Sequence, residues 1–129
     1  MFTPRNILIA ALAGVLGCIA NALAIVALNA EAALMPLILS AGREFWSVVF
    51  ALALIPIFAR LSGAAAWITG FVVLEALASL SAKLIWGAGA PWSFVLTVNG
   101  AYAVVAVGVY GVGRRFGKNK GRRHTESRL

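Results

Sequence analysis

Long apolar stretches alternate with short polar breaks along the chain, and each stretch has the length of a membrane-crossing helix. An α-helix needs about 20 predominantly apolar residues to cross the hydrocarbon core of a bilayer. A membrane β-barrel would instead show segments of about ten residues with alternating polarity. The stretches are unbroken and rich in Ala, Leu, Val and Ile, so they predict an all-α integral membrane protein. The predicted four-helix bundle has transmembrane spans at about residues 6–30, 42–60, 64–86 and 92–112.

The breaks between these stretches predict how the helices are joined. The segment Glu31–Glu44 carries three charges around an apolar middle that is too short to cross a bilayer, so it predicts a loop at the outer interface. Within this loop, Ser40 is a candidate N-cap for the second span. Pro56 is expected to bend or fray the last turn of that span. The turn at residues 61–63 is short, which makes the second and third spans antiparallel neighbours.

The first stretch has a second interpretation as a secretory signal peptide. Arg5 precedes an apolar segment, and residues 15–18 (VLGC) resemble a lipoprotein cleavage box. A mature lipoprotein usually turns polar after the cysteine, whereas this chain stays apolar over residues 19–28. The continued apolar pattern favours an uncleaved first span.

Composition supports a membrane environment. Hydrophobic residues make up 62% of the chain and charged residues 12%. Soluble domains contain about 45–50% apolar and about 25% charged residues. A chain this apolar does not use water as its main solvent, and a helical integral membrane protein fits better than a soluble domain.

The positive charges are concentrated near the C-terminus, and the formal net charge is +7. Seven of the eleven Lys and Arg residues follow Gly113: Arg114, Arg115, Lys118, Lys120, Arg122, Arg123 and Arg128. If the N-terminus is inside, four spans place these seven on the inner side together with Arg5 and Arg60, and leave only Arg43 and Lys83 outside. Positive residues favour the cytoplasmic side. Both termini are therefore predicted to be cytoplasmic, in a bacterial inner (plasma) membrane, and no nucleic-acid partner is needed to explain the charge.

The basic tail, residues 114–129, has no apolar periodicity and is predicted to be disordered. One interpretation makes it a solvated determinant of topology. The other is contact with anionic lipids, where each Lys or Arg near the surface contributes about 1 kcal/mol. The residues predicted to make that contact are Arg114, Arg115, Lys118, Lys120, Arg122 and Arg123.

Few residues suit catalysis or metal binding. Cys18 and His124 are the only residues of their types. An intrachain disulfide is therefore impossible, and a Cys/His zinc site with about four ligands is not expected. His124 lies in the polar tail, far in sequence from any span, which argues against Ser–His catalysis. The sequence predicts no catalytic residue, no metal and no cofactor.

Glu75 is the main functional candidate. It lies in the middle of the third span, where a carboxyl group normally faces a bundle interior or a wet cavity because facing lipid costs a few kcal/mol. Burial disfavours the charged form, so an unpaired Glu75 is expected to be protonated. Asn21 and Asn99 lie at similar predicted depths, and Ser79 and Tyr102 share helix faces with Glu75 and Asn99. These five residues form the predicted membrane-embedded polar cluster.

Small residues recur at every fourth position of the first span, which places them on one helix face where another helix can approach closely. The residues predicted to serve helix packing are Gly14, Cys18, Ala22, Gly100 and Gly108. Asn21 lies beside this face and has two interpretations, as a helix–helix contact or as a group that lines a site.

Three functional hypotheses follow. In the first, the chain is a component of a small transporter or channel, with Glu75 as a membrane-embedded proton or cation site. Four helices hardly enclose a path, so this hypothesis requires a homo-oligomer or a larger complex. In the second, it is a non-catalytic accessory or assembly subunit, and Glu75 and the small residues make helix or partner contacts. In the third, it is a lipid-modifying enzyme, for which the outer side offers only Glu31, Arg43, Glu44 and Lys83.

Overall fold

The structure is a computed structural model that describes residues 2–29, 33–85 and 91–127, with side chains described as far as Arg115. Its helices are α1 (Pro4–Leu28), α2 (Leu34–Ile38), α3 (Ala41–Ala51), α4 (Leu54–Arg60), α5 (Gly63–Leu80) and α6 (Trp92–Ser127). A π-helical segment, Ser81–Ile85, follows α5 directly. Throughout these ranges the regular structure is helical, without a strand.

Four helical segments are long and apolar enough to cross a membrane, by length and composition. They are Pro4–Leu28, Ala41–Arg60, Gly63–Ile85 and Trp92–Arg115. Their limits agree with the predicted spans to within a few residues, so the predicted all-α class with four candidate spans is confirmed. The short helix α2 lies within the predicted loop between the first two spans. Glu31 and residues 87–90 of the predicted breaks lie outside the described residues.

The start of α1 follows from its first residues. Thr3 Oγ1 accepts a 3.1 Å hydrogen bond from the Asn6 backbone N–H and so caps the helix. Pro4 begins the helix, at a position where its missing N–H has no helical partner to lose. α1 then packs mainly against α3 and α6.

Small residues allow α1 to lie close to both neighbours. A Cβ atom added at Gly14 would lie 2.7 Å from the Ser47 carbonyl oxygen of α3, and one added at Gly17 would lie 2.6 Å from Cδ2 of Tyr102 of α6. Both distances are too short for a side chain. Cys18 and Ala22 are buried on the same helix. The glycines therefore set the position of α1 between α3 and α6.

The second span is broken into α3 and α4 at Leu52 and Ala53. Pro56 lies four residues after Leu52, so it has no N–H to donate to the Leu52 carbonyl group, and its ring would clash with that group in a regular helix. The Leu52 carbonyl oxygen instead accepts a 3.2 Å hydrogen bond from Ile55. The sequence predicts a disturbed last turn, whereas the disturbance lies before Pro56 and α4 continues regularly to Arg60.

Aromatic packing holds α4, α5 and α6 together at the end where α4 stops and α5 begins. The Phe58 ring centroid lies 5.3 Å from that of the buried Tyr110 and 5.8 Å from that of Trp67. A Cβ atom at Gly111 would lie 2.5 Å from the Trp67 ring, so this glycine leaves the space that the indole occupies. These contacts fix the position of the turn between α4 and α5.

Large apolar side chains also cover the outside of the bundle. Leu8 of α1, Ile68 of α5 and Val104 of α6 are 71%, 64% and 60% exposed within the chain. Contiguous apolar surface of this kind is uncommon on monomeric soluble proteins. It is the surface that a hydrocarbon environment accommodates.

A π-helical segment changes the direction of side chains after α5. The four-residue spacing of Glu75, Ser79 and Lys83 predicts that all three share one helix face. The segment Ser81–Ile85 lies between Ser79 and the end of the span and departs from that spacing. The Lys83 ammonium group lies 5.4 Å from the ring centroid of Trp92, at the start of α6, which is a cation–π distance.

α6 continues past the fourth span to Ser127. Extending an existing helix avoids the cost of nucleation, and Lys and Arg have high helix propensity. The disorder that the sequence predicts from residue 114 stays a prediction. Most side chains of the tail lie outside the described part of the chain. They include four residues of the predicted lipid contact: Lys118, Lys120, Arg122 and Arg123.

Candidate functional site

Glu75 lies against α6, half-buried in the middle of α5. Its Oε1 atom accepts a 2.7 Å hydrogen bond from the hydroxyl group of Ser79, one turn further along the helix. A Cβ atom added at Gly100 of α6 would lie 3.1 Å from Glu75 Oε2. The absence of a side chain at Gly100 therefore leaves room for the carboxyl group between the two helices.

A chain of hydrogen bonds leads from Glu75 through three helices. Ser79 is 2% exposed, and its hydroxyl oxygen accepts a 3.2 Å hydrogen bond from Asn99 Nδ2. Asn99 Oδ1 in turn accepts a 2.9 Å hydrogen bond from Asn21 Nδ2. The same Asn21 amide group donates to the Val98 carbonyl oxygen at 2.8 Å. Asn21 is therefore tied to both the side chain and the backbone of α6.

Arg43 ends this chain of hydrogen bonds on α3. Its Nη2 group donates to Asn21 Oδ1, so a cation is matched here by a neutral amide oxygen. Within the described residues, Arg43 Nε and Glu44 Oε2 are buried atoms without a hydrogen-bond partner. Buried unpaired polar atoms are uncommon in folded proteins. Packing alone therefore does not explain why Arg43 and Glu44 stand at the start of α3.

A cavity of about 340 Å³ opens beside the far end of this chain. Its polar lining comes from Asn21, Arg43, Ser47 and Asn99, and its aromatic lining from Trp46, Phe50 and Tyr102. Glu75 does not line the cavity and connects to it through Ser79 and Asn99. An arginine beside aromatic rings and amide groups provides the donors and apolar surface of a small-molecule site.

Tyr102 belongs to the wall of the cavity rather than to the hydrogen-bonded chain. It is 3% exposed, and its hydroxyl group donates a 2.6 Å hydrogen bond to the Ser47 carbonyl oxygen of α3. Its ring packs against Gly17 of α1. Tyr102 therefore holds α1, α3 and α6 together around the cavity.

The structure brings four of the five predicted cluster residues into one chain of hydrogen bonds, Glu75, Ser79, Asn99 and Asn21, and places Tyr102 beside it. The sequence does not assign Arg43 to the polar cluster, because Arg43 lies where the predicted loop at residues 31–44 overlaps the start of the second span. The spacing of Arg43 and Ser47, four residues apart at the start of an apolar run, was a usable signal. It places both side chains on one face of α3.

The predicted packing residues have different surroundings. Gly14, Cys18 and Ala22 are buried between helices, and Gly100 lies against Glu75. A Cβ atom at Gly108 would meet nothing within 4 Å, so this glycine is not needed for packing against the described part of the chain. Arg114 and Arg115 lie at the end of the bundle where α6 leaves the fourth span.

Fold and site together fit a multi-pass membrane protein with four spans, a polar hydrogen-bonded core and a cavity at one end. In the described ranges, no three His, Cys, Asp or Glu side chains are arranged to hold a metal ion. No family model, curated protein or solved structure matches the chain.

Proposed function

We propose that this chain is a subunit of an oligomeric transporter or channel in the bacterial plasma membrane, with Glu75 as its proton or cation site. The observation that carries the proposal is the hydrogen-bonded connection between Glu75 and the cavity, through Ser79 and Asn99. A titratable group inside a membrane is costly, and it is retained where protons or ions are bound or moved. Here that group is connected to a cavity that can accept a solute.

The proposed orientation puts both termini in the cytoplasm and the cavity toward the outside. Arg5, Arg60 and Arg114 lie at the opposite end of the bundle from Arg43, and positive residues favour the cytoplasmic side. In this orientation the cavity is the outer access to the site. Glu75, at mid-depth, then lies between the cavity and the cytoplasm.

The hydrogen bonds suggest how Glu75 and the cavity influence each other. An ionised Glu75 can only accept the Ser79 hydroxyl hydrogen, over the 2.7 Å that separates Ser79 Oγ from Glu75 Oε1. A protonated Glu75 can donate to Ser79 and reverse that bond. Ser79 also accepts from Asn99, which lines the cavity. Gain of a proton or cation at Glu75 therefore changes the hydrogen bonds available to a solute in the cavity.

An oligomer is part of the proposal because four helices leave little room for a complete path. The cavity borders α1, α3, α5 and α6, and Glu75 fills the gap between α5 and α6. A path past Glu75 to the cytoplasmic side therefore requires surface from a second subunit. The exposed apolar face of α6 around Gly108 is available for such a contact.

The test is ion-driven proton movement in proteoliposomes that contain a fluorescent pH indicator. Vesicles with the wild-type chain should change internal pH when a Na⁺ or K⁺ gradient is imposed, and Glu75→Gln should abolish this change while the protein remains folded. Glu126→Gln, the same substitution in the tail, serves as the control and should retain it. If wild-type and Glu75→Gln vesicles respond equally, Glu75 is not the proton or cation site.

The second candidate is an accessory subunit of a larger membrane complex, and the open surface at Gly108 also favours it. Val104 and Val112 lie four residues to either side on α6 and are exposed. Purification in a mild detergent followed by mass measurement separates the two candidates. A defined homo-oligomer supports the transporter, and a stoichiometric complex with another protein supports the accessory subunit.

A further inference from the structure

A second cavity, of about 290 Å³, lies at the opposite end of the bundle from Arg43. It is formed by the end of α4, the turn into α5, and α6. Three arginines line it, Arg60 from α4 and Arg114 and Arg115 from α6. We call this cavity and its three arginines the basic pocket. These three cations come from two helices that are distant in sequence, yet they line the same cavity. Charges that served only to keep a tail solvated would not need to converge in this way.

No carboxylate lies among the residues that line the basic pocket. The described side chains include two acids, Glu44 and Glu75. Glu75 is twelve residues beyond Gly63 along α5, or about 18 Å at the helical rise per residue. Glu44 lies near the opposite end of the second span from Arg60. Both are beyond the roughly 8–10 Å over which charges interact at physiological salt, so neither neutralises the pocket.

The backbone adds further positive character to the basic pocket. α5 begins at Gly63 with a left-handed φ of +58°, and the side chain of its N-cap, Ser62, makes no capping hydrogen bond. The first turn of α5 also has no acidic residue. Ser62 and Gly63 both line the pocket. Free N–H groups at a helix N-terminus attract anions, and the first residues of α5 line the same cavity as the arginines.

Neighbouring groups hold Arg114 in place. Its guanidinium carbon lies 5.8 Å from the Phe58 ring centroid, a cation–π distance. Arg5 donates a 3.1 Å hydrogen bond to the Arg114 carbonyl oxygen and adds another positive charge nearby. Phe58 and Trp67 supply an apolar wall to the pocket. The site therefore combines fixed cations, backbone donors and an apolar surface at the end of the membrane-spanning helices.

We propose that the basic pocket binds a phosphate group, carried by the headgroup of an anionic lipid or as free phosphate. Arginine guanidinium groups match phosphate oxygens in geometry and charge. Basic pockets between spanning helices on the cytoplasmic side are suited to anionic headgroups. The proposal does not depend on Glu75, because Glu75 does not line the pocket and lies twelve residues along α5 from Gly63.

Calorimetric titration of the full chain in detergent tests the proposal. The probes are dihexanoyl phosphatidic acid, dihexanoyl phosphatidylcholine and inorganic phosphate. Arg60→Gln and Arg115→Gln alter exposed residues of the pocket, so the fold should persist, which elution as a single species on size exclusion checks. Arg128→Gln is the control, because it removes one positive charge from the basic tail without changing a residue of the basic pocket.

We expect each pocket substitution to weaken phosphatidic acid binding about fivefold, and the pair about 25-fold. Arg128→Gln should weaken it less than about twofold if direct contact, rather than diffuse charge, provides the affinity. Binding of phosphatidic acid in preference to inorganic phosphate identifies a lipid headgroup, and equal binding of both identifies free phosphate. The proposal is overturned if phosphatidic acid binds no better than phosphatidylcholine, or if Arg128→Gln weakens binding as much as Arg60→Gln does.

Discussion

Ser79 stands one helical turn after Glu75 and donates a 2.7 Å hydrogen bond to its carboxyl group. The same hydroxyl oxygen accepts from Asn99 of α6. Among the described side chains, Ser79 is thus the one residue that links Glu75 to the hydrogen bonds leading to the cavity. Removing the Ser79 hydroxyl group breaks the link between Glu75 and Asn99 while both side chains remain in place.

Ser79→Ala should destabilise the protein modestly and should uncouple Glu75 from Asn99. Side-chain hydrogen bonds between membrane helices contribute about 0.6 kcal/mol on average and up to about 1.7 kcal/mol. Thermal unfolding in detergent measures this loss. Ser81→Ala is the control, since Ser81 is also buried but lies outside this chain of hydrogen bonds.

A double-mutant cycle of Ser79→Ala with Asn99→Ala should give a non-zero coupling energy. Strict additivity contradicts the predicted link.

Asn21→Leu should destabilise the protein more than Ser79→Ala does. The substitution removes the amide oxygen that accepts from Arg43 and the donor to Asn99. A buried polar group left without its partner costs about 1–3 kcal/mol, and a charged group more. The free energy of unfolding should therefore fall by about 2–3 kcal/mol, measured by denaturant titration in detergent micelles.

A second substitution tests how much of the stability lost in Asn21→Leu comes from the hydrogen bond with Arg43. Arg43→Met removes the guanidinium group and keeps a long apolar side chain. Introduced into the Asn21→Leu protein, it should cost less stability than when introduced into the wild type, because the cation no longer has its acceptor to lose. An equal cost in both backgrounds means that the Asn21–Arg43 hydrogen bond does not stabilise the fold.

Gly14→Ala and Gly108→Ala should have opposite effects on stability. The new methyl group at position 14 would lie 2.7 Å from the backbone of Ser47, whereas that at position 108 would meet no atom within 4 Å. Overpacking typically costs about 1–3 kcal/mol, and replacing glycine by alanine in an open helical position adds up to about 1 kcal/mol. Unfolding of the two variants side by side tests this contrast. Equal effects would mean that α1 and α3 are not in close contact.

Both termini should lie in the cytoplasm. Fusion of a reporter that is fluorescent only in the cytoplasm should give signal at either end, and a phosphatase that is active only outside should be inactive at both. The same phosphatase placed between residues 88 and 89 should be active, because the predicted topology puts the connection between the third and fourth spans outside. Termini on opposite sides would contradict a structure with four spans.

The sequence predicts the helices well because their physical cause is local. An apolar stretch of sufficient length defines a span, and four such stretches appear as four helical segments, the second of them broken into α3 and α4. The cost of isolating polar groups predicts that Glu75, Asn99 and Asn21 lie near each other, and the hydrogen bonds join them through Ser79. These inferences needed length, spacing and the cost of burial alone.

The sequence is less informative where the outcome depends on packing between distant segments. From the sequence, Arg43 belongs to the charged segment between the first two spans. Its guanidinium group nevertheless contacts Asn21, because Gly14 lets α1 approach α3 closely. The break before Pro56 follows from a clash with the carbonyl group four residues earlier, which places it at Leu52 rather than at the helix end. Both effects depend on three-dimensional geometry that residue type alone does not specify.

The π-helical segment Ser81–Ile85 changes the helical register between the middle of the third span and its last residues. Such a segment accommodates one additional residue, and one residue corresponds to a rotation of about 100° around an α-helix. Deleting one residue there would restore the α-helical repeat and turn Lys83 away from Trp92, while leaving Glu75 and Ser79 where they are. The orientation of Lys83 is thus separate from that of Glu75, and each can change in evolution without the other.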